Sequence, residues 1–223
     1  MANKNITNLV IIGSGALAAE SYGYISDINQ RSENKIKVLG FIDDMGPDNF
    51  QINKNKYQFN EGYLGTTQDF SFPLKNKYLI AFSDIQMRAK HSHYLQLRGV
   101  EFINLIHPTA NISTSAQIGF GNIFGAHVIV GPNVKLGNHN VLTAYSFISH
   151  DCIVGSQNFF STAGLAGHVL VGSRNFFGIR STAIPSVVIG DDNVMQAGML
   201  VDKNVSNSET VFYKFKERIF LKP

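Results

Sequence analysis

The most regular pattern in this chain is an apolar residue that recurs every six positions in the C-terminal half. An amphipathic helix repeats every 3.6 residues and a half-buried strand every 2, so neither element explains the period. One residue is missing after the tenth position of the series. The positions are Ile112, Ile118, Phe124, Val130, Leu136, Leu142, Ile148, Val154, Phe160 and Ala166, then Val171, Phe177, Ala183, Ile189, Met195 and Val201.

A period of six is typical of a short strand followed by a tight turn. Three such units close a triangular coil, and coils stack through parallel strand pairing about 4.8 Å apart. Glycine often follows the apolar residue, as at Gly131 and Gly155, and we expect it to serve the turn through a positive φ or a close backbone approach. The pattern predicts a left-handed parallel β-helix over residues 108–223. A glycine-rich β-sandwich would not keep so strict a period.

Residues 1–107 alternate strand-like and helix-like segments, which is typical of a parallel α/β sheet. One predicted helix has Leu17 and Ile25 on its apolar face, and a second begins at Asp84 and ends at Gly99. Strands are predicted at residues 9–12, 35–42, 78–82 and 102–106. We therefore predict a Rossmann-like α/β half-domain that leads directly into the β-helix near residue 107.

A glycine-rich turn follows the first predicted strand. Residues 13–18 (GSGALA) match the G-x-G-x-x-G/A pattern between a strand and a helix, where backbone N–H groups can hold phosphate. Asp43 or Asp44, at the end of the second strand, could accept hydrogen bonds from a ribose hydroxyl or a base. One half-domain suits a mononucleotide such as a nucleotide sugar better than NAD. The alternative is that the glycines only make a tight turn.

Composition excludes several classes of protein. Charged residues make up 16% of the 223 residues, the net charge is +3, and the Lys and Arg residues are scattered, which argues against a nucleic-acid surface. No apolar run approaches the ~18 residues of a membrane span. The single cysteine, Cys152, cannot form an internal disulfide, so we expect a cytoplasmic protein. Residues 16–18 loosely imitate a signal-peptide cleavage site, which leaves secretion as the alternative.

The densest group of reactive side chains is the run Ser-His-Asp-Cys at residues 149–152. His150 leaves the predicted prism at a corner and could act as a general base, with Asp151 fixing its tautomer. A solvated corner histidine is the alternative. A zinc site formed by His150 with His127, His139 and His168 is a further alternative, but no ligand spacing supports one and we expect no metal.

Both halves together resemble the bacterial nucleotide-sugar acetyltransferases of the PglD/NeuD-like family, which carry hexapeptide repeats. The resemblance spans almost the whole chain. It is carried by the segments IIGSGALAAE, GFIDD, NLIHPTA, SHDCIVG, LAGHVLVG and IGDDNVMQAGMLVDKNV. It implies a homotrimer with active sites between neighbouring β-helices and acetyl-CoA as the co-substrate.

The resemblance also implies roles for individual residues. His150 would be the catalytic base, Asp151 the acidic residue that supports it, and Gly167 the residue whose N–H faces the thioester oxyanion. The nucleotide sugar is expected at Gly13, Ser14, Gly15, Asp43, Asp44 and Ser83, and the coenzyme at Phe159, Ile179, Ala197 and Gly198.

Three features depart from the family pattern. Phe159 stands where the family usually has a second histidine that contacts acetyl-CoA. One residue is missing between Gly155 and Gly167, and the repeat places the slip after Ala166. Residues 211–215 replace the family's usual ending, so the C-terminal cover of the coenzyme is expected to differ.

The favoured hypothesis is acetyl transfer from acetyl-CoA to the amino group of a nucleotide-linked sugar, for surface glycan synthesis. Two alternatives stay open. One is O-acetylation of a sugar hydroxyl, as in the sialic acid branch. The other is a non-catalytic trimeric scaffold or nucleotide-sugar sensor, which Phe159 and the shortened coil would explain.

Overall fold

A computed structural model describes residues 6–213, and these begin with a four-stranded parallel sheet. The elements are β1 (Ile6–Ile12), α1 (Ala16–Arg31), β2 (Lys35–Ile42), α2 (Pro47–Tyr57), β3 (Tyr63–Gly65), β4 (Lys77–Ile80) and α3 (Ile85–Gln96). The strand order is β3-β2-β1-β4. Residues 1–5 and 214–223 of the two predicted domains lie outside the described residues. Within residues 6–213, no helix combines the length and apolar character that crossing a membrane requires.

Strand β1 is buried on both faces. Leu9 and Ile11 pack with Ile25 of α1 on one side of the sheet, whereas Val10 and Ile12 belong to the core on the other side. A parallel strand covered on both faces has a nearly continuous apolar run, which is why this segment was predictable as a strand. The glycine-rich turn then leads into α1, as predicted.

Two elements of this region were not predicted. Helix α2 has the sequence PDNFQINKNKY, and Phe50 is its buried residue. Its first residue, Pro47, is favoured in the first turn of a helix, but no apolar period marks the segment. Strand β3 has only three residues and pairs with the end of β2.

The C-terminal half is a parallel β-helix of two-residue strands. The strands are β5 (Leu105–Ile106), β6 (Asn111–Ile112), β7 (Gln117–Ile118), β8 (Ile123–Phe124), β9 (Ile129–Val130), β10 (Lys135–Leu136), β11 (Val141–Leu142), β12 (Phe147–Ile148), β13 (Ile153–Val154), β14 (Phe159–Phe160), β15 (Gly164–Leu165), β16 (Leu170–Val171), β17 (Phe176–Phe177), β18 (Thr182–Ala183), β19 (Val188–Ile189), β20 (Val194–Met195), β21 (Leu200–Val201) and β22 (Thr210–Val211).

These strands form three parallel sheets, here called faces 1, 2 and 3. Face 1 contains seven strands (β5, β8, β11, β14, β17, β20 and β22), face 2 contains six (β6, β9, β12, β15, β18 and β21) and face 3 contains five (β7, β10, β13, β16 and β19). The second residue of most strands points into the prism and is buried, as the six-residue period predicted. The predicted triangular solenoid is therefore confirmed.

The position of the missing residue differs from the prediction. Val141 pairs with Phe159, eighteen residues along the chain, but Ile148 pairs with Leu165, seventeen residues along. Leu165 is fully buried and occupies the inward position predicted for Ala166. The residue is lost in the turn 161–163, between faces 1 and 2, and not after Ala166. Leu165 and Ala166 are both apolar, so the sequence pattern alone did not show which of them occupies the inward position.

The positive φ angles fall on residues other than the repeated glycines. Most turns have one left-handed residue three positions after the inward apolar residue, and examples are His127 (φ 57°), Asp151 (φ 58°) and His168 (φ 61°). The repeated glycines serve close approach instead. A Cβ on Gly155 would lie 2.5 Å from the carbonyl oxygen of Gly172 in the next coil.

A ladder of asparagines runs up the corner between faces 3 and 1. From the second member onward, the backbone N–H of each asparagine donates to the side-chain oxygen of the one in the previous coil, at 2.7–2.9 Å. The ladder consists of Asn122, Asn140, Asn158, Asn175 and Asn193, all fully buried. Stacked coils therefore align through buried amide hydrogen bonds as well as apolar contacts.

The predicted strand 102–106 is divided between the two regions. Phe102 makes an isolated bridge to Tyr78 beside the N-terminal sheet, whereas Leu105–Ile106 is the first strand of face 1. The turn between them changes the chain from one sheet to the other. The domain boundary near residue 107 stays a prediction.

The outer side of face 1 packs against the α/β region. Ile123, Val141 and Phe159 share a buried cluster with Leu17 and Ile25 of α1. Strands of face 1 are consequently covered on both sides over part of the prism. The two regions meet through an apolar core rather than through a flexible linker.

Helix α3 packs on the corner between faces 3 and 1. The guanidinium of Arg88 donates to the backbone oxygen of His139, and Gln157 donates to the Ser92 hydroxyl at 2.7 Å. Burial lowers the pKa of Arg88 to about 9, and burial together with Arg88 lowers the pKa of His139 to about 3. At neutral pH the helix thus presents a buried cation to a neutral histidine.

Candidate active site and nucleotide pocket

His150 and Asp151 lie in the turn between faces 2 and 3. The Nδ1 atom of His150 is 2.8 Å from Oδ2 of Asp151, and the imidazole side chain is 52% exposed. Adjacent residues on a strand point apart, and the contact forms because Asp151 adopts the left-handed conformation. The carboxylate accepts a hydrogen bond from an N–H at Nδ1, so the neutral imidazole keeps its lone pair at Nε2. This is the tautomer that a general base requires.

Asn133, one coil earlier at the same corner, holds the other oxygen of Asp151. Its side-chain amide donates to Oδ1 of Asp151 at 2.7 Å. Hydrogen bonds from Asn133 and then from His150 keep the pKa of the Asp151 carboxyl below its ordinary value. Asp151 is therefore a fixed, ionised partner for the imidazole. The sequence offered no signal for Asn133, because its role depends on the stacking of coils.

Gly167 lies against the imidazole of His150. A Cβ at this position would be 2.6 Å from Cε1 and 2.7 Å from Nε2 of His150, so only glycine leaves room for the ring. Among the backbone hydrogen bonds of residues 6–213, none is donated by the Gly167 N–H. The structure thus brings the predicted base and the predicted oxyanion donor together.

The residues predicted to line the coenzyme channel divide into two groups. Ile179, Ala197 and Gly198 are exposed and lie at the corner between faces 1 and 2, where the Gly198 N–H donates to the Ile179 oxygen at 2.7 Å. Phe159 requires a correction. The residue is 8% exposed, and its ring stacks on Phe176 with the ring centroids 5.6 Å apart, within the core beneath the α/β region. No open coenzyme surface is therefore available there.

Five of the six predicted nucleotide residues line a pocket of about 350 Å³ in the α/β region. Gly13, Ser14 and Gly15 line it at the N-terminus of α1, opposite Asp43. The Ser14 hydroxyl donates to Asp43, whose carboxylate also accepts from Asn49 at 3.0 Å. The Asp43 carboxylate is thus largely engaged by the protein, and the N-cap of α1, Gly15, lies at the cavity. The first N–H groups of a helix have no partner within it and can bind an anion.

Asp44 lies beside Asp43 and is held by Thr67 and His91. The Thr67 N–H donates to Oδ1 at 2.6 Å, and Nε2 of His91 is 2.8 Å from Oδ2. Burial opposes ionisation, but the hydrogen bonds from Thr67 and His91 outweigh it and lower the pKa of Asp44. His91 was not predicted, because the pattern of α3 does not show which polar residues face a cavity.

A second cavity of about 400 Å³ adjoins the first and shares Asp44, Met87 and His91 with it. Lys90 and other residues of α3 line this second lobe. Ser83 was also expected to hold the nucleotide sugar. It is exposed and lies between two lining residues, but it does not itself line either lobe.

One group of side chains within residues 6–213 has the geometry to share a metal ion. His150, Asp151 and His168 each offer a ligand atom, and these atoms lie within 4.8 Å of one another. His168 occupies the same turn position as Asp151 in the next coil, and its Nε2 is 3.9 Å from Asp151. Two nitrogens and an oxygen would suit zinc, with positions left open. The expectation that the protein uses no metal stays a prediction.

The chain is similar in sequence to proteins of known function. No family model matches the chain. It is 25% identical over 174 residues to GDP-perosamine N-acetyltransferase from Escherichia coli O157:H7, which covers 75% of this chain and 74% of that protein.

Solved structures share the fold. PerB from Caulobacter crescentus, crystallised with CoA and GDP-perosamine, is 24% identical with a TM-score of 0.77, covering 91% of this chain and 92% of that chain. The acetyltransferase domain of PglB from Neisseria gonorrhoeae FA1090, in complex with acetyl coenzyme A, is 19% identical with a TM-score of 0.80, covering 92% and 96%. These comparisons confirm the resemblance to the PglD/NeuD-like nucleotide-sugar acetyltransferases of the hexapeptide-repeat class.

Proposed function

We propose that this protein transfers an acetyl group from acetyl-CoA to the amino group of a nucleotide-linked sugar. The observation that carries the proposal is the constellation of His150, Asp151 and Gly167. It combines an oriented base with an unused N–H donor at one exposed corner. The relatives support the reaction class, since one is named GDP-perosamine N-acetyltransferase and another was crystallised with CoA and GDP-perosamine.

The chemistry follows from the tautomer of His150. With Nδ1–H donated to Asp151, the Nε2 lone pair removes a proton from the sugar amine as its nitrogen attacks the thioester carbonyl. The Gly167 N–H stabilises the oxyanion of the tetrahedral intermediate. The C–S bond then breaks, CoA leaves as the thiolate, and the proton on His150 passes to the thiolate or to water. General base catalysis contributes about 10² to 10⁴ in rate.

A homotrimer would complete this site. Apolar side chains with 39–53% exposure lie on the outer sides of the two faces that flank the His150 corner. They are Ile129, Phe147 and Leu200 on face 2, and Ile153, Leu170 and Val188 on face 3. Packing such stripes against neighbouring prisms would remove them from water and enclose the corner in a groove. Sedimentation of the purified protein should give three times the monomer mass.

We place the reaction in the cytoplasm, where acetyl-CoA is made and a lone thiol such as Cys152 stays reduced. The product would be an acetamido sugar on a nucleotide carrier, which is a precursor for surface glycans.

The test is thiol release from acetyl-CoA with paired nucleotide sugars that differ only in an amino or a hydroxyl group. His150→Asn should lower turnover with the amino sugar by about 10² to 10⁴. His127→Asn is a matched control, since His127 is exposed in an equivalent turn with φ 57° and lies at another corner. Full turnover by His150→Asn would contradict the assignment of the base.

The same assay separates the alternatives. Thiol release with the hydroxy sugar alone would establish O-acetylation instead. Acetyl-CoA at about 100 times its Kd should stabilise the native state by about 2.7 kcal/mol. An unchanged melting temperature would favour the alternative of a non-catalytic scaffold or sensor.

A further inference from the structure

Residues with the left-handed conformation in consecutive turns form a column along the corner between faces 2 and 3. Around the candidate base, its members are Asn133, Asp151 and His168, with φ angles of 56°, 58° and 61°. Coils of a β-helix lie about 4.8 Å apart, so the side chains of consecutive members can reach a single bound ion. A second histidine therefore stands beside the carboxylate that orients His150.

The imidazole of His168 has no part in the proposed acetyl transfer, yet it lies close to the base. The rings of His150 and His168 meet edge to face, with their centroids 5.2 Å apart. Nε2 of His168 is 3.9 Å from Oδ2 of Asp151, and Nδ1 of His150 is 2.8 Å from the same oxygen. Two exposed imidazoles thus converge on one carboxylate oxygen.

These three groups are of the kinds that zinc prefers as ligands. Zinc binds imidazole nitrogen and carboxylate oxygen at about 2.0 to 2.2 Å, which places neighbouring ligand atoms about 3.3 Å apart. One nitrogen of each histidine and one oxygen of Asp151 already lie within 4.8 Å of one another, and exposed side chains can close the difference by small rotations. The amide of Asn133 holds Oδ1 of Asp151 and so leaves Oδ2 for the ion.

A metal ion at this site removes the base, whichever nitrogen of His150 it binds. An ion on Nε2 occupies the lone pair that would take the proton from the amine. An ion on Nδ1 leaves the proton of the neutral imidazole on Nε2, and the lone pair is again lost there. In both cases His150 can no longer accept a proton from the acceptor sugar.

We propose that His150, Asp151 and His168 form a binding site for Zn²⁺, and that zinc bound there inhibits acetyl transfer. The inhibition rests on the proposed function, whereas binding of the ion depends only on the three side chains. Zinc is an inhibitor here and not a cofactor, since no step of the proposed reaction uses it. Activity falls when free zinc rises and returns when a chelator removes the ion.

The first measurement is isothermal titration of the untagged full chain with zinc chloride, after EDTA treatment and dialysis. The wild-type protein should bind zinc with a Kd on the order of 10 µM, because three ligands hold the ion less tightly than the four of structural sites. Co²⁺ should take the same site and show the visible absorption bands of a four- or five-coordinate ion. Mg²⁺ should not bind there, since it prefers oxygen ligands.

The variant His168→Asn tests the contribution of the second histidine. Asparagine accommodates the left-handed conformation, as Asn133 does in the same column. The Kd for zinc should rise by about tenfold or more, since loss of even an outer-shell partner costs about 10- to 100-fold. His127→Asn is the matched control, because His127 has φ 57°, is exposed and belongs to no candidate metal group among residues 6–213. Its Kd should equal that of the wild type.

The second measurement is acetyl transfer with and without zinc. The acetylated sugar is quantified by chromatography, because zinc binds free thiols and would disturb a thiol assay. Saturating zinc should lower wild-type turnover by about 10² to 10⁴, the loss expected for His150→Asn, and EDTA should restore it. Half-inhibition of His168→Asn should need about tenfold more zinc, relative to that variant's own metal-free rate.

Three results would overturn the inference: no zinc binding by the wild-type protein, equal Kd values for the wild type and His168→Asn, or full turnover with zinc saturating the site. Failure of the proposed function is recognised separately, as a lack of acetyl transfer by the metal-free protein. The zinc titrations would then still establish or exclude the site, because they do not depend on turnover.

Discussion

The two regions of this protein use parallel strand pairing in different ways. The α/β region has strands of up to eight residues, and its core is an apolar layer between a sheet and helices. The β-helix has strands of two residues, so each strand contributes few hydrogen bonds and little area. Its coils are instead held by residues that repeat at fixed positions. The first region therefore depends on packed volume, and the second on exact spacing between coils.

Glycine substitution gives the largest expected contrast. Gly155→Ala in the β-helix places a Cβ 2.5 Å from the oxygen and 2.7 Å from the carbonyl carbon of Gly172. Both are backbone atoms of the next coil, which cannot rotate away as a side chain would. We expect the free energy of unfolding to fall by about 3 kcal/mol, measured by urea denaturation. An unchanged stability would show that coil spacing is adjustable.

The asparagine ladder provides the second comparison. Asn158→Ala removes the acceptor for the N–H of Asn175 and leaves that buried donor unpaired. We expect a loss of about 2 to 3 kcal/mol in the free energy of unfolding. In the α/β region, Asn29 bonds both backbone groups of Ile36 but is only part-buried, and Asn29→Ala should lose about 1 kcal/mol. Equal losses would remove the distinction between the two regions.

Acid sensitivity should originate at the corner between faces 3 and 1. Burial lowers the pKa of His139 in the folded protein to about 3, whereas in the unfolded chain the imidazole takes up a proton below its ordinary pKa of 6.5. Protons thus favour the unfolded state, and stability falls as the pH drops from 6.5 towards 3. At pH 5 the loss is about 2 kcal/mol.

His139→Asn should reduce that loss when thermal melts at pH 7.5 and 5 are compared. Asparagine tolerates the left-handed conformation of this turn. His127→Asn serves as the control, since His127 has the same conformation but is exposed. If both variants respond equally to acid, His139 is not the source of the sensitivity.

The smallest expected effect is an increase in the free energy of unfolding. Gly23 lies inside α1, and a Cβ there meets nothing within 4 Å. Gly23→Ala should raise the free energy of unfolding by about 0.5 to 1 kcal/mol, because alanine has less freedom to lose in a helix. A melting temperature below that of the wild type would show that α1 is more crowded than the packing indicates.

The β-helix was more predictable than the α/β region, because a solenoid repeats one local rule. The inward residues from Phe124 to Phe160 follow from the period alone. The slip before Leu165 did not, since the neighbouring apolar residues Leu165 and Ala166 satisfy the pattern equally well. In the α/β region, α2 lacked an apolar stripe, because Phe50 alone is buried.

The candidate site shows a similar division. His150 and Asp151 are adjacent in sequence, so their pairing could be predicted from the chemistry of one turn. Asn133 and His91 reach their partners across coils or between elements. Such contacts depend on register and helix orientation, which no local sequence pattern records. Phe159 was assigned to the coenzyme on resemblance, and the burial of face 1 beneath α1 overrules that assignment.

The seventeen-residue coil has a consequence for how such a prism can change. Losing a residue in the turn 161–163 leaves the strands before and after it in their proper faces, with Ile148 still paired to Leu165 and Phe160 to Phe177. A length change is thus absorbed within a single bend, and the periodic architecture on either side is undisturbed. Bends of this kind are the natural places to insert a loop into the scaffold. The same deletion inside a strand would exchange the inward-facing and outward-facing side chains that follow it.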